Sequence, residues 1–169
     1  FRRKLSQMRT VNRNDLMKSE ELTLVNKQNP LIGSMNMFFY DAKHKETLPY
    51  YDKFPLSVII GPAKEGFMGL NLHYLPPVLR AKMLDNLMDI TNNKKYDETT
   101  RFEISYKLLT ATAKIKFYKP CLKHYLFRHV KSRLARVPAP EWEIATFLPT
   151  ADWQKGSAST VYKDSRRMM

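Results

Sequence analysis

Phe54-Pro55-Leu56-Ser57-Val58-Ile59-Ile60, then Gly61-Pro62-Ala63-Lys64-Glu65-Gly66, then Phe67-Met68-Gly69-Leu70-Asn71-Leu72-His73-Tyr74-Leu75-Pro76-Pro77: this stretch decides the fold class. The first run is apolar and rich in β-formers, the second is a turn with glycine at both ends, and the third alternates. Along the third run Met68, Leu70, Leu72 and Tyr74 face one side of a strand while Phe67, Gly69, Asn71 and His73 face the other. Two strands so placed form a hairpin. Pro76-Pro77 then stops the strand, because proline donates no ladder hydrogen bond, and its fixed φ suits a helix's first turn. Leu79, Met83, Leu84, Leu87 and Met88 recur at helical spacing after it, up to Asn92-Asn93.

Working outward, Met35, Met37 and Phe39 alternate with Asn36, Phe38 and Tyr40, which predicts a further strand. Residues 1–33 are polar and basic and end at Asn29-Pro30 and Gly33. They read as an arm with a short helix capped by Asn14 or Asp15 and a weak apolar stripe of Leu16, Met17, Leu22 and Val25. Downstream, Thr100 and Glu103 have capping-box spacing, and Phe102, Tyr106, Leu109 and Ala113 continue one face of a second helix. A third helix is expected from Pro120, with Leu122, Tyr125, Leu126, His129 and Val130 on its apolar side. Trp142, Ile144, Thr146 and Leu148 alternate with Glu143, Ala145 and Phe147, which reads as a late strand, and from Thr150 the chain reads as a polar C-terminal arm. The expected fold is α+β: a small antiparallel sheet, with a partly closed SH3-like barrel as one form it can take, packed against about three helices. Residues 34–149 would form the single domain, with arms at 1–33 and 150–169.

The 169 residues carry 29 Lys and Arg against 16 Asp and Glu, a formal charge of +13. That balance points to a polyanionic partner, the simpler alternative being charge that serves solubility or belongs to flexible tails. Cys121 is the single cysteine, so no intramolecular disulfide can form and a reducing compartment is expected. No run of about 18 apolar residues occurs, so membrane insertion is not expected, and the polar start argues against secretion. The sequence opens on Phe1 and not on Met, so a targeting element further upstream would not be seen.

Between Glu103 and Glu141 there is no acidic residue but there are nine basic ones: Lys107, Lys114, Lys116, Lys119, Lys123, Arg128, Lys131, Arg133 and Arg136. Unrelieved like charges on a helix repel by a few tenths of a kcal/mol per pair, so an outside anion should compensate them. These nine are the expected contacts to a phosphate backbone, with Tyr118 and His124 as neutral neighbours. No helix-turn-helix, zinc knuckle or RNA-recognition signature is present, so sequence-independent duplex binding is favoured over base reading. An acidic protein surface is the competing partner. Tyr50 and Tyr51, in Leu48-Pro49-Tyr50-Tyr51-Asp52-Lys53-Phe54-Pro55-Leu56, read either as a stacking or docking surface, to which Tyr118 is a further candidate, or as rings closing the open end of the sheet.

Catalytic patterns are weak. His44, His73, His124 and His129 form no metal-site spacing with a carboxylate, and Cys121 near His124 lacks an orienting third group. Asp41, Asp52 and Glu65 could gather at a nuclease metal, but of the three only Asp41 is followed two positions later by a lysine, Lys43, and that spacing alone is a weak signal of a nuclease core. The five glycines form no phosphate loop. The reading is a non-enzyme with no catalytic residue, cofactor or metal.

Met37-Phe38-Phe39-Tyr40-Asp41, the Leu48 to Leu56 run, and Gly66-Phe67-Met68-Gly69-Leu70-Asn71-Leu72-His73-Tyr74-Leu75-Pro76 resemble a virion protein of large contractile-tailed bacteriophages, the DNA end protector or head-completion group. The likeness spans roughly Met35 to Leu148 and takes in Tyr118-Lys119-Pro120 and Glu141-Trp142-Glu143-Ile144-Ala145. It implies a structural protein that sits at the end of the packaged genome, shields it from host exonuclease and readies the head for tail joining. It also implies residence in the virion, and in host cytoplasm during assembly. Portal, neck or tail components are the implied protein partners, and multiple copies in a symmetric assembly are compatible with it. A neck, tail or baseplate adaptor docking through its basic face is the alternative role.

Overall fold

A computed structural model describes residues 12–18, 22–91 and 116–169; for 86–91 and 116–118 it describes the backbone alone. In chain order the elements are α1 (Arg13–Met17), β1 (Thr23–Val25), β2 (Met35–Met37), β3 (Tyr51–Asp52), β4 (Leu56–Ala63), β5 (Gly66–Asn71), α2 (Pro77–Thr91), β6 (Leu122–Leu126), β7 (Leu134–Val137), α3 (Trp142–Phe147), β8 (Trp153–Gln154) and α4 (Ala158–Met168). Six strands form one antiparallel sheet in the order β1-β7-β2-β4-β5-β6, and β3 with β8 makes a two-stranded pair. The α+β class expected from the sequence is what forms. Among the described residues β1 and β6 are the edges of the larger sheet.

The hairpin lies where the alternation puts it. Val58 pairs with Leu70 and Ser57 with Asn71. The turn is shorter than the glycine spacing suggested, since β4 runs through Gly61-Pro62-Ala63 and reverses at Lys64-Glu65, with Glu65 at φ 56. A bulge between Ile59 and Gly61 absorbs the register change, and β4's pairing with β2 ends at Val58, so Pro62 sits where the strand has an open side.

Each face of the sheet is buried against a different layer. Met35, Met37, Val58, Leu70, Leu72, Ala135 and Val137 pack with Leu16, Met83, Leu84, Trp142, Ala145 and Val161 from the helices. On the other face Phe38, Tyr40, Ile59, Phe67, Tyr125 and Leu134 form an aromatic layer. Phe38 meets Tyr125 edge-on at 5.1 Å between centroids, so a ring following β2 reaches across to β6, and the sheet must curl to allow it.

Three expectations need correction. Residues 122–126, read as a helix from Pro120, form strand β6, with Pro120 inside a 3₁₀ turn (Lys116–Cys121) and a second 3₁₀ turn at Phe127–His129. The helical spacing of Leu122, Tyr125, Leu126, His129 and Val130 is real, but β5 offers an unpaired edge that this segment fills, Phe67 opposite Tyr125 and Leu70 opposite Leu122. Trp142–Phe147, read as a strand, is helix α3. Its buried residues Trp142, Ala145 and Thr146 lie three and four apart, and a window of six or seven residues satisfies both periods. α1 is capped by Asn12, whose side chain accepts from Asp15 N, and not by Asn14 or Asp15. The helix expected over Thr100 to Ala113 lies outside the described residues. Thr23–Val25 and Ala158–Met168, from the stretches read as arms, are respectively a strand of the sheet and a helix that contributes Val161 to the core.

Gly66 is the position at which β6 can approach β5. A Cβ there would drive into the Tyr125 carbonyl, a backbone atom that cannot swing away. Gly66→Ala is expected to cost about 1–3 kcal/mol through forced separation of the two strands. The check is a lower urea midpoint with an unchanged slope.

Candidate nucleic-acid interface

The cationic residues expected at the interface divide by the fold. Lys107 and Lys114 lie outside the described residues, and Lys116 and Tyr118 are described by backbone alone, within the 3₁₀ turn before β6. Lys119 is exposed at the end of that turn. Lys123 is half-buried on β6, and Arg136, on β7, has an Nε that is buried without a hydrogen-bond partner among the described residues. Arg128, Lys131 and Arg133 come together on the turn and loop that join β6 to β7, and all three are exposed.

A fourth cation joins them from the other end of the chain. β1 pairs with β7, Val25 opposite Leu134, so Asn26 and Lys27 emerge beside the residues that precede β7. Lys27 Nζ donates to the Val130 carbonyl at 2.9 Å, and Lys131 Nζ to the Arg128 carbonyl at 3.3 Å. Those bonds fix two of the cationic tips. Asn26, Lys27, Arg128, Val130, Lys131, Ser132 and Arg133 line a cleft of about 640 Å³ in which no lining residue is acidic. Such a cleft presents ammonium and guanidinium donors to phosphate oxygens with little reorganisation, which serves backbone contact and carries no base readout. Lys27 was missed from sequence because its partners lie more than 100 positions away.

Behind the surface sits a buried polar network. The Asp52 carboxylate accepts from Phe54 N at 3.0 Å, Asn71 Nδ2 at 3.0 Å and Asp152 N at 2.9 Å, and His73 Nδ1 lies 2.6 Å from it. Burial pushes this carboxyl up, but the attraction of His73 and the bonds from His73, Asn71 and Asp152 outweigh it and hold it below the ordinary value. The Thr150 hydroxyl stands 3.2 Å from His73 Nε2. Carboxylate, imidazole and hydroxyl in that order invite comparison with a hydrolytic triad. Asp52, His73 and Thr150 are 3%, 0% and 1% exposed, so no substrate carbonyl reaches them, and the network is structural. Arg80 completes it, donating to the carbonyls of Leu75, His73 and Thr146 and to the Tyr162 hydroxyl, which ties α2, α3 and α4 together.

The other reactive combinations do not assemble. Cys121 is fully buried, its thiol pushed up to about 12 by burial, while His124 is exposed and bonded to the Lys64 carbonyl at 2.8 Å. Asp41 is held by Lys45 at 3.2 Å, away from the buried Asp52. Among the described residues no three His, Cys, Asp or Glu side chains are placed to hold a metal, and no helix is long and apolar enough to cross a membrane. Tyr50 packs on Tyr74 and Trp153 and donates to Asp164, and Tyr51 pairs with Gln154 in the β3–β8 ribbon; both line a second cavity, on the β6 side of the molecule.

A family model, that of the phage T4 terminal DNA protecting protein, matches residues 9–165. The chain belongs to this terminal DNA-protecting family. No curated protein and no solved structure matches it. Membership makes the chain a bacteriophage DNA end protector, a DNA-binding structural protein, and agrees with the virion-protein likeness of its Met37, Leu48 and Gly66 motifs.

Proposed function

We propose that this protein holds the end of the packaged genome in the filled head through the Lys27, Arg128, Lys131 and Arg133 cleft, denying the end to host exonuclease, and that it completes the head for tail attachment. The observation that carries this reading is the convergence of four cations, two with tips bonded to backbone carbonyls, on one cleft without an acidic lining residue. Lys119, exposed before β6, extends the same charge along the chain. Portal, neck or tail components are the protein partners of this role, engaged through surfaces other than the cleft.

The test is purified protein incubated with linear duplex DNA and a processive exonuclease. Protection that fades with rising salt is the expected result, because phosphate neutralisation releases counterions. Metal-dependent cleavage by the protein itself would replace this reading with a nuclease. Neither protection nor cleavage, with capture of an acidic virion protein, would replace it with the adaptor role.

A further inference from the structure

The cleft explains a grip on any duplex but not a preference for its end. A second cavity, about 620 Å³, opens between β6, β3 and the loop that precedes β3; its volume lies in the range of roughly 300–1,000 Å³ common to small-ligand sites. We propose that this cavity is an end reader: it takes the terminal nucleotide of a DNA strand, the base lying against Tyr50 and Tyr51 and the terminal phosphate meeting Lys123. This inference rests on the proposed grip on the DNA end and adds the site that tells an end from an interior.

Three observations carry it. Lys123 reaches into the cavity from β6 with its ammonium 3.8 Å from the centroid of the Tyr74 ring, and among the described residues it makes no hydrogen bond or ion pair. A half-buried cation with only a ring face for company, and no carboxylate or carbonyl partner among the described residues, is a group whose missing countercharge a ligand can supply. Burial lowers its pKa to about 8, and an anion beside it would restore the charged form. Aromatic walls stand next to that cation, and a base stacks on aromatic rings whatever its identity. Two acids border the cavity too: the Asp52 carboxylate is occupied by the Phe54, Asn71, His73 and Asp152 donors, and Glu65 is outnumbered in the lining by Lys43, Lys64 and Lys123.

The cavity and the cleft are linked through a third groove. Tyr40 lines both the cavity and a shallow groove, and Lys131 lines both that groove and the cleft, so one strip of surface joins them. An interior nucleotide has both base faces stacked and a phosphate diester of single charge. A terminal one has a free face, and a phosphate monoester carries about −1.5 to −2 near pH 7. Both differences match what the cavity offers.

The experiment compares binding of the full chain to three probes of one duplex sequence: open with 5′-phosphates, open with 5′-hydroxyls, and closed at both ends as a dumbbell. The expected order is phosphorylated over hydroxyl over dumbbell, with about tenfold between first and last, the size of one stacking contact. Lys123→Met should bring the phosphorylated duplex down to the hydroxyl one while leaving the dumbbell unchanged. It should also raise Tm by a few degrees, since an uncompensated cation is replaced by an apolar chain of similar length; a purely structural lysine would lower it. Tyr51→Leu should weaken both open probes alone. Equal wild-type binding to open and closed duplexes, or a phosphate preference that survives Lys123→Met, overturns the end reader and leaves the cleft standing. Failure of the wild type to bind any probe overturns the grip itself.

Discussion

Changing Lys27, Arg128, Lys131 and Arg133 together to Gln should lower duplex affinity roughly a thousandfold at 0.15 M salt and remove most of its salt dependence. The size follows from counting contacts. Each phosphate neutralised on duplex DNA contributes a slope of about 0.9 in log affinity against log salt, so four contacts give about 3.6, or roughly three decades between 1 M and 0.15 M. All four side chains line the cleft, and Arg128, Lys131 and Arg133 are exposed. The variant should therefore fold with an unchanged urea midpoint. Filter binding at several salt concentrations reads the effect. A slope that stays as steep as that of the parent protein would place the DNA elsewhere. Reversing the change at Lys27 alone should restore about one unit of slope, which tests the contribution of the segment after β1 separately from that of the β6–β7 loop.

Asp52→Ala should cost about 3–5 kcal/mol, lowering Tm by roughly 10 °C, because it strands partners that have no water to turn to. Phe54 N, Asn71 Nδ2, Asp152 N and His73 Nδ1 all lose their acceptor at once, in a site where Asp52 is 3% exposed. The same group sets a pH dependence whose sign can be worked out. Its folded carboxyl is held below the ordinary value, so its stabilisation is complete above the unfolded carboxylate pKa, near 3.9, and is lost as pH falls through the folded value. Thermal unfolding followed from pH 7 down to pH 2 should show the parent losing stability below about pH 4. Asp52→Asn, less stable at neutral pH, should have a flatter acid limb. Parallel acid limbs would show that the network contributes nothing to acid sensitivity.

Much of the fold was legible because the central hairpin alternates over enough residues to fix its period. Met68 and Leu70 reach the helix-covered core and Phe67 joins the aromatic layer, as the period-two reading requires, but β5 ends at Asn71, and Leu72 and Tyr74 join that core from a 3₁₀ turn (Leu72–Tyr74), not from the strand the alternation extended to them. The errors fell where the window was short or where a partner decided the outcome. Trp142–Phe147 supports helix and strand equally in sequence and is settled by the contact of α3 with α2. Leu122–Leu126 is a strand because glycine at position 66 lets it dock on the β5 edge, a role hidden in sequence because the same glycine reads as the end of the hairpin turn. Of the nine cations in the acid-free interval, Arg128, Lys131 and Arg133 line the one cleft. The interval missed Lys27, and it placed Lys123 on the same face when β6 turns that side chain toward Tyr74 instead. Charge counting sees composition along the chain, whereas a cleft is made by strands that meet across it.

The pairing of β1 with β7 also sets a schedule. Lys27 bonds to the Val130 carbonyl across 103 positions of chain, and the wall it completes depends on strand residues as late as Arg136. A nascent polypeptide therefore has no cleft while most of it is already synthesised; the grip forms as one late, long-range closure, after a loop whose entropy must be overcome first.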